Sequence, residues 1–242
     1  MPESTCRECG KTFSFTPPDY VPAFAAHLKP DTCNDCAGRL REVEQLERLA
    51  TDLRERNIPR RYLTASFESF AAATPSQRLA LEACRDHALE GVLLRGPSGT
   101  GKTMLGSCAI MAGPPDSLFV GTTELLDDIR ASFDGGGRDL FERAQWAPLL
   151  CLDDLGAEAV TDWVRDRLYV LLNDRWNGNL PLVVTTNHTA KTLAERIGDH
   201  LLSRIAGLCD HRVEAIGEDR RRRHRFMGEK IAASAPTPIE RA

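Results

Sequence analysis

Residues 91–103 read Gly91-Val92-Leu93-Leu94-Arg95-Gly96-Pro97-Ser98-Gly99-Thr100-Gly101-Lys102-Thr103. Three apolar residues suited to a buried strand lead directly into a turn with the spacing Gly-x-x-x-x-Gly-Lys-Thr, in which every fixed position is filled. Glycines let the backbone curl so that its N–H groups point at phosphates, and the helix that follows adds its positive end. A glycine-rich turn that only connects a strand to a helix is the alternative. The spacing favours a phosphate-binding loop (P-loop) and predicts that the chain binds a nucleoside triphosphate. The predicted nucleotide-binding residues are Gly96, Pro97, Ser98, Gly99, Thr100, Gly101, Lys102 and Thr103.

Two further apolar runs end in polar side chains that could serve the same ligand. Leu149–Asp154 closes with Asp153 and Asp154, and the run over 180–187 closes with Asn187. Since ligands of parallel sheets sit at the carboxyl ends of the strands, we expect these side chains to meet the P-loop. Asp153 is predicted to hold Mg²⁺ together with the P-loop threonine, and Asp154 to orient or deprotonate the attacking water.

Asn187 is predicted to hold that water or the γ-phosphate, and Lys102 to reach the β- and γ-phosphates. The alternatives are solvated carboxylates that open a loop, and an asparagine that only forms a turn. Arg204, on a short amphipathic segment after Asn187, is a candidate to neutralise charge during phosphoryl transfer. Its residue pattern alone fits a surface arginine equally well.

Strands and helices alternate along most of the chain after residue 77, which predicts an α/β fold of the P-loop NTPase type with a parallel sheet sandwiched by helices. Only about 27 residues follow the last strand, so we expect little or no helical lid. The segment Arg60–Phe70 is predicted to be an extended lead-in. Predicted strands cover 92–94, 117–121, 149–154, 180–187 and 211–215, and predicted helices cover 38–57, 77–90, 102 to about 112, 122–133, 139–147, 160–176, 190–197 and 199–205.

Two Cys-x-x-Cys pairs near the N-terminus predict a structural metal site. Cys6 and Cys9 are followed, after 23 intervening residues, by Cys33 and Cys36. Four thiolates in this arrangement suit the tetrahedral coordination of Zn²⁺, and so short a segment would need the metal in order to fold. A redox dithiol and a coincidental spacing are the competing interpretations, and a redox motif would need one pair beside a βαβ pattern. The sequence therefore predicts a zinc-binding module with a structural role.

Composition sets broad limits on the class of protein. The chain has 242 residues, 42% of them hydrophobic and 27% charged, with a formal charge of −4. This charge is too small to indicate nucleic acid or a membrane by itself, although arginines are concentrated within Arg220–Arg225. No apolar run has the length of a membrane span or of a signal peptide, so we expect a cytoplasmic protein with no membrane partner.

Several motifs in fixed order resemble the DnaC/IstB branch of the AAA+ ATPases. They lie between about Ile58 and Arg225 and comprise, in order, Ile-Pro-Arg-Arg-Tyr (58–62), Ala-Ser-Phe-Glu-Ser-Phe (65–70), Gly-Pro-Ser-Gly-Thr-Gly-Lys-Thr (96–103), Leu-Leu-Cys-Leu-Asp-Asp-Leu-Gly (149–156), Val-Val-Thr-Thr-Asn (183–187), Leu-Leu-Ser-Arg-Ile (201–205) and Gly-Glu-Asp-Arg (217–220). The resemblance implies that Asp153 and Asp154 form Walker B, that Asn187 is sensor 1, and that Arg204 is an arginine finger acting on a neighbouring copy of the chain.

The sequence departs from many AAA+ members at one catalytic position, because Asp154 stands where they have glutamate. A side chain one methylene shorter leads us to expect slow, switch-like hydrolysis. Arg220 is at best a weak candidate for a sensor 2 residue.

The resemblance implies a helicase loader that uses ATP, Mg²⁺ and Zn²⁺ and binds single-stranded DNA and the replicative helicase. A transposase helper with the same ATPase is the first alternative, and a small-molecule P-loop kinase is the second. The arginines of Arg220–Arg225 would contact DNA phosphates or form a solvated face. We expect four regions: a zinc-binding partner module (1–37), a linker helix (38–57), the AAA+ ATPase domain (58–232) and a disordered tail (233–242).

Overall fold

The computed structural model describes residues 3–15, 30–133, 139–157 and 161–219. The chain divides into two compact units, Met1–Asp52 and Leu53–Ala242. Within the described part of the chain, no helix combines the length and the apolar character needed to cross a membrane. The arginine-rich segment, the expected absence of a lid over 220–232 and the predicted tail over 233–242 concern residues outside the described ranges.

The first unit contains a short hairpin and most of a long helix, whose last residues, 53–55, belong to the second unit. Strand β1 (Glu3–Thr5) pairs antiparallel with β2 (Thr12–Ser14), and Glu3 lies opposite Ser14. The sequence analysis did not predict this hairpin. Helix α1 runs from Asn34 to Glu55, so it begins four residues before the predicted helix. Asp35 in its first turn favours this earlier start, because a carboxylate is stabilised at the positive end of a helix.

The second unit is built on a five-stranded sheet in the order β4-β5-β6-β3-β7, with every pair parallel. The strand that enters the P-loop, β3, therefore lies between β6 and β7. The strands are β3 (Val92–Arg95), β4 (Leu118–Gly121), β5 (Leu150–Asp153), β6 (Leu182–Thr186) and β7 (His211–Glu214), and the helices are α2 (Pro75–Asp86), α3 (Lys102–Ala112), α4 (Thr122–Phe133), α5 (Asp139–Trp146), α6 (Asp162–Asn177), α7 (Ala190–Ile197) and α8 (Asp199–Leu208).

Helices cover both faces of this sheet, as the α/β pattern predicts. Side chains of successive strand residues point to opposite faces, so β3, β4, β5 and β6 each contribute to two separate apolar clusters. In β3, Leu93 joins the cluster formed with α4 to α8, whereas Val92 and Leu94 join the cluster formed with α2 and α3. These four strands are buried on both faces, which explains why they read as continuous apolar runs, whereas the edge strand β7 alternates between half-buried and exposed residues.

Several predicted elements of the second unit differ from the observed ones. The segment after Pro59 is not extended throughout, since Arg60–Tyr62 forms a 3₁₀ turn. The predicted helix over 77–90 is α2 followed by a separate 3₁₀ turn, Ala88–Glu90. Helix α2 starts earlier than expected because the Thr74 hydroxyl accepts a hydrogen bond from the Gln77 N–H and caps the helix. Helix α8 continues to Leu208, three residues beyond the prediction.

Candidate nucleotide-binding site

The P-loop has the backbone conformation that its glycines predict. Gly96, Gly99 and Gly101 have φ values of 140°, 82° and 102°, which side chains larger than hydrogen rarely allow. At Gly96 the need is also spatial, because a Cβ there would lie 2.2 Å from the Ala215 carbonyl oxygen at the end of β7. Helix α3 starts at Lys102, directly after the loop, so its N-terminal N–H groups face the same space.

A pocket of about 520 Å³ opens beside this loop. It is lined by residues of the P-loop, of the start of α3 and of the strand ends, namely Ser98, Gly99, Gly101, Lys102, Thr103, Met104, Asp154, Thr185 and Asn187. The segment before α2 also lines the pocket, through Arg61, Tyr62, Thr64, Ala65 and Ser69. No residue of this segment was predicted to bind the nucleotide. Its one local signal is the pair Arg61 and Tyr62, in which the guanidinium carbon lies 5.1 Å from the ring centroid.

Asp153 and Thr103 lie close enough to share a cation. The Thr103 hydroxyl donates to Asp153 Oδ2 at 3.3 Å, and the Thr185 hydroxyl donates to Oδ1 at 2.6 Å. Burial raises the pKa of the Asp153 carboxyl above its ordinary value, although the two threonine hydroxyls act in the opposite direction. Thr185 was not predicted as a site residue. The signal that could have indicated it is its own position, as a polar residue near the end of an apolar strand.

Lys102, Asn187 and Asp154 form a chain of hydrogen bonds across the pocket. Lys102 Nζ donates to Asn187 Oδ1 at 2.9 Å, and Asn187 Nδ2 donates to Asp154 Oδ1 at 2.6 Å. Lys102 also donates to the carbonyl oxygens of Gly96 and Pro97. The structure thus brings the P-loop lysine, the second strand-end carboxylate and the strand-end amide into one connected group.

Comparison with known proteins agrees with this geometry. Residues 41–227 match the model of the family described as IstB-like ATP binding protein. The chain belongs to this family. The replicative helicase loader DnaI of Bacillus subtilis (strain 168) is 26% identical over 166 residues, which cover 63% of this chain and 53% of DnaI. The match therefore spans about half the length of that curated relative.

Solved structures support the same AAA+ assignment. A crystal structure of the DnaC helicase loader is 25% identical, with a TM-score of 0.58 over 65% of this chain and 100% of that one. A crystal structure of DnaI is 25% identical, with a TM-score of 0.56 over 69% and 100%. The predicted resemblance to DnaC/IstB-like AAA+ ATPases is confirmed. AMPPCP-bound DnaA from Aquifex aeolicus, 19% identical with a TM-score of 0.56 over 73% of this chain and 56% of that one, shares the fold.

In this IstB-like protein Arg204 does not line the pocket of its own chain. It lies on α8, half-buried, with its guanidinium carbon 5.4 Å from the ring centroid of Trp176 on α6. Its role as an arginine finger remains a prediction.

The four N-terminal cysteines of the first unit lie together. Their sulfur atoms are all within 4.8 Å of one another, and the Cys9 and Cys33 sulfurs are 3.8 Å apart. Four ligands at about 2.3 Å around a tetrahedral Zn²⁺ are about 3.8 Å apart, so the donor set fits zinc. Backbone hydrogen bonds, that from Cys33 first among them, lower the pKa of the Cys6 thiol to about 6 and favour a thiolate there. At Cys36, burial and the neighbouring cysteines raise the pKa to about 12, and the hydrogen bond that Arg39 donates to Sγ at 2.9 Å acts in the opposite direction.

Proposed function

We propose that the chain is a Mg²⁺-dependent ATPase of DNA replication that loads a replicative helicase onto single-stranded DNA. The observation that carries the proposal is the hydrogen-bonded group of Lys102, Asn187 and Asp154 beside the P-loop, in a chain related to the helicase loaders DnaI and DnaC. The group supplies a cation for phosphates and a carboxylate for water within one pocket.

The P-loop and its neighbours are suited to bind the triphosphate. Backbone N–H groups of Gly96–Thr103 would hold the phosphates, and Lys102 would exchange its bonds to carbonyl oxygens for bonds to phosphate oxygens. Thr103 and Asp153 present two oxygen donors 3.3 Å apart, as the hard cation Mg²⁺ requires. When bound, Mg²⁺ supplies positive charge that stabilises the phosphate oxygens.

Asp154 is placed to accept a proton from an attacking water. Its backbone has a φ of 56°, a left-handed conformation that aspartate tolerates better than most residues, and the Thr185 hydroxyl accepts a hydrogen bond from its N–H. Asn187 holds one carboxylate oxygen, so the other remains for water. We infer slow, switch-like turnover because this carboxylate is one methylene shorter than glutamate. The variant Asp154→Glu should keep hydrolysing ATP, and its inactivity would contradict this part of the proposal.

We further propose that Arg204 acts on the nucleotide of a neighbouring copy, where it neutralises charge that develops on the phosphates. Its position outside its own pocket supports this assignment. The first unit would bind Zn²⁺ through Cys6, Cys9, Cys33 and Cys36 and hold the helicase. Zinc supplies folding free energy to such a module rather than catalysis, since all four ligands come from the protein.

The test uses the full chain, single-stranded DNA and the host's replicative helicase. We expect ATP hydrolysis that DNA stimulates, loss of ATP binding in Lys102→Ala, and co-elution with the helicase. The double variant Cys33→Ala/Cys36→Ala should lose the helicase but keep its affinity for ATP. Undiminished ATP binding by Lys102→Ala would refute the nucleotide site. ATP hydrolysis that DNA does not stimulate, together with no co-elution with the helicase, would refute the loader role.

A transposase helper is the second candidate, because the matched family is described as IstB-like. The ATPase site would be the same and only the client would differ. Co-elution with a transposase instead of the helicase would select this alternative. A small-molecule kinase would show no response of its ATPase activity to DNA.

A further inference from the structure

The indole ring of Trp176, at the C-terminal end of α6, lies directly on the backbone of α8. A Cβ added at Gly207 would lie 2.2 Å from Cζ3 and 2.8 Å from Cη2 of this ring. Real Cβ atoms are not found at such distances, so only glycine leaves room for the ring. Glycine inside a helix is destabilising relative to alanine, which makes its presence here informative. The absence of a Cβ at Gly207 therefore allows the Trp176 ring to lie against α8.

Arg204 stands three residues before Gly207 and hence on the same face of α8. Its guanidinium carbon lies over the Trp176 ring, 5.4 Å from the centroid, a distance suited to a cation–π contact. Trp176 is 44% exposed and Arg204 is half-buried, so the pair is accessible from outside. The ring thus orients a cation at the surface of the second unit.

The N–H donors of Arg204 are not used for structure. Among the described residues it makes no hydrogen bond and no ion pair, and it contacts the Trp176 ring through a cation–π interaction. Arg175, on the same helix as Trp176, shows the opposite pattern: it donates to the carbonyl oxygens of Ala144, Ala147 and Pro181. An arginine held by a ring while its donors remain available is suited to bind an anion from another molecule.

We propose that Trp176 is a positioning residue that orients Arg204 toward the nucleotide of a neighbouring copy. Gly207, which has no Cβ, leaves the space that the ring occupies. This inference rests on the proposed action of Arg204 in trans. A long arginine side chain has many rotamers, and the ring reduces them before the neighbour arrives. Loss of the ring should therefore lower kcat in the assembled protein and leave the KM for ATP nearly unchanged, because the chain's own pocket is intact.

The first test compares Trp176→Leu, Trp176→Phe and Trp146→Leu in the full chain. Leucine removes the aromatic face, and we expect kcat to fall about 3- to 30-fold at protein concentrations that allow assembly. Phenylalanine keeps an aromatic face and should restore most of the rate. Trp146 is 59% exposed, and no arginine of the described ranges lies over its ring, so Trp146→Leu is the matched control and should retain kcat. If Trp176→Leu fails to fold, Gly207→Ala displaces the ring instead and should lower kcat similarly.

The second test identifies which subunit needs the ring. Arg204→Ala, which keeps its own catalytic carboxylate, is mixed with Asp154→Asn, which keeps Arg204, and we expect hydrolysis to recover. The double variant Asp154→Asn/Trp176→Leu should not restore it, whereas Asp154→Asn/Trp176→Phe should.

The possible results separate the two proposals. Full activity of Arg204→Ala alone would overturn the action in trans. Loss of activity in Arg204→Ala together with full activity of Trp176→Leu would overturn only the role of Trp176. Recovery with the double variant Asp154→Asn/Trp176→Leu would also overturn that role.

Discussion

Asn187 lies between two groups of opposite charge, and its amide can satisfy both in only one orientation. The ammonium of Lys102 can only donate hydrogen bonds and the ionised carboxylate of Asp154 can only accept them. Oδ1 must therefore face Lys102 and Nδ2 must face Asp154, as the distances of 2.9 Å and 2.6 Å show. A shift of the lysine toward a phosphate would consequently be transmitted to the carboxylate through one amide.

The buried carboxylate of Asp153 lowers the stability of the folded protein but is suited to bind a cation. Its buried carboxyl has a raised pKa, so the folded protein holds this proton more tightly than the unfolded chain does. Stability is then lost as the pH rises from the ordinary value of 3.8 through the raised value, so ionisation of this carboxyl lowers the stability of the folded protein.

We predict that Asp153→Asn is more stable than the native protein without nucleotide and is defective in hydrolysis. Changes that relieve such a strained site commonly add about 0.5–2 kcal/mol, and each kcal/mol raises Tm by about 2–4 °C in a domain of this size. The difference in Tm should be largest near pH 7.5 and should shrink toward pH 5. Thermal melts of both proteins at several pH values measure it. An Asn variant that melts at or below the native temperature at pH 7.5 would show that the carboxylate is not penalised.

At the scale of elements, one buried cation joins the ends of several of them. Arg175 on α6 is 0% exposed, and its guanidinium donates to Ala144 at 2.8 Å, Ala147 at 3.0 Å and Pro181 at 2.5 Å. The acceptors are carbonyl oxygens at the end of α5 and just before β6. Burial lowers the pKa of Arg175 to about 10, so the side chain is still charged at neutral pH. Arg175 satisfies helix-end carbonyl groups that would otherwise be buried without donors.

We predict that Arg175→Met destabilises the second unit by about 3 kcal/mol, because several buried acceptors lose their donor at once. The expected fall in Tm is about 6–12 °C. Arg85→Met is the matched control, since Arg85 is exposed and, within the described part of the chain, forms its ion pair with the neighbouring Asp86 at 2.7 Å. An exposed pair contributes at most about 1 kcal/mol. Chemical denaturation of the two variants measures both effects, and equal midpoints would show that the carbonyl contacts of Arg175 add no stability.

The positions of the helices and strands along the chain follow from local sequence patterns, whereas the order of the strands in the sheet and the packing contacts do not. Apolar runs predicted β3, β4, β5 and β6 to within two residues, because these parallel strands are buried on both faces, whereas the half-buried edge strand β7 has no apolar run. The order β4-β5-β6-β3-β7 and the burial of Arg175 depend on contacts between residues far apart in the chain. Helix α8 extends past its predicted end and includes Gly207, although glycine is unfavourable in helices. Glycine is needed at this position because the Trp176 ring packs against the backbone there.

At the scale of the whole molecule, the two units are held together internally by different means. The second unit, Leu53–Ala242, has two apolar clusters that enclose its sheet. In the first unit, Met1–Asp52, the described buried apolar residues are two cysteines, Cys6 and Cys36. The paired Cys-x-x-Cys spacing indicated this difference from the sequence. The donation from Arg39 to Cys36 was not foreseeable, because an arginine at the start of a helix has many other possible partners.

We predict that removal of zinc unfolds the first unit and spares nucleotide binding. The full chain should hold one Zn²⁺, and 1,10-phenanthroline, which leaves Mg²⁺ in solution, should remove it. Residues before Asp52 should then become sensitive to protease, because this unit has no large apolar core to replace the metal. Affinity for a fluorescent ATP analogue should stay within about twofold, since every residue lining the pocket lies in the second unit.

Two cysteine variants control the zinc experiment. Cys33→Ala removes a predicted ligand and should lower zinc content and protease resistance together. Cys84→Ala changes a cysteine buried in the second unit, 1% exposed, and should leave the zinc content unchanged. Zinc retained by Cys33→Ala at the native level would contradict the assigned ligands. A loss of ATP affinity that parallels the loss of zinc would instead show that the two units are energetically coupled.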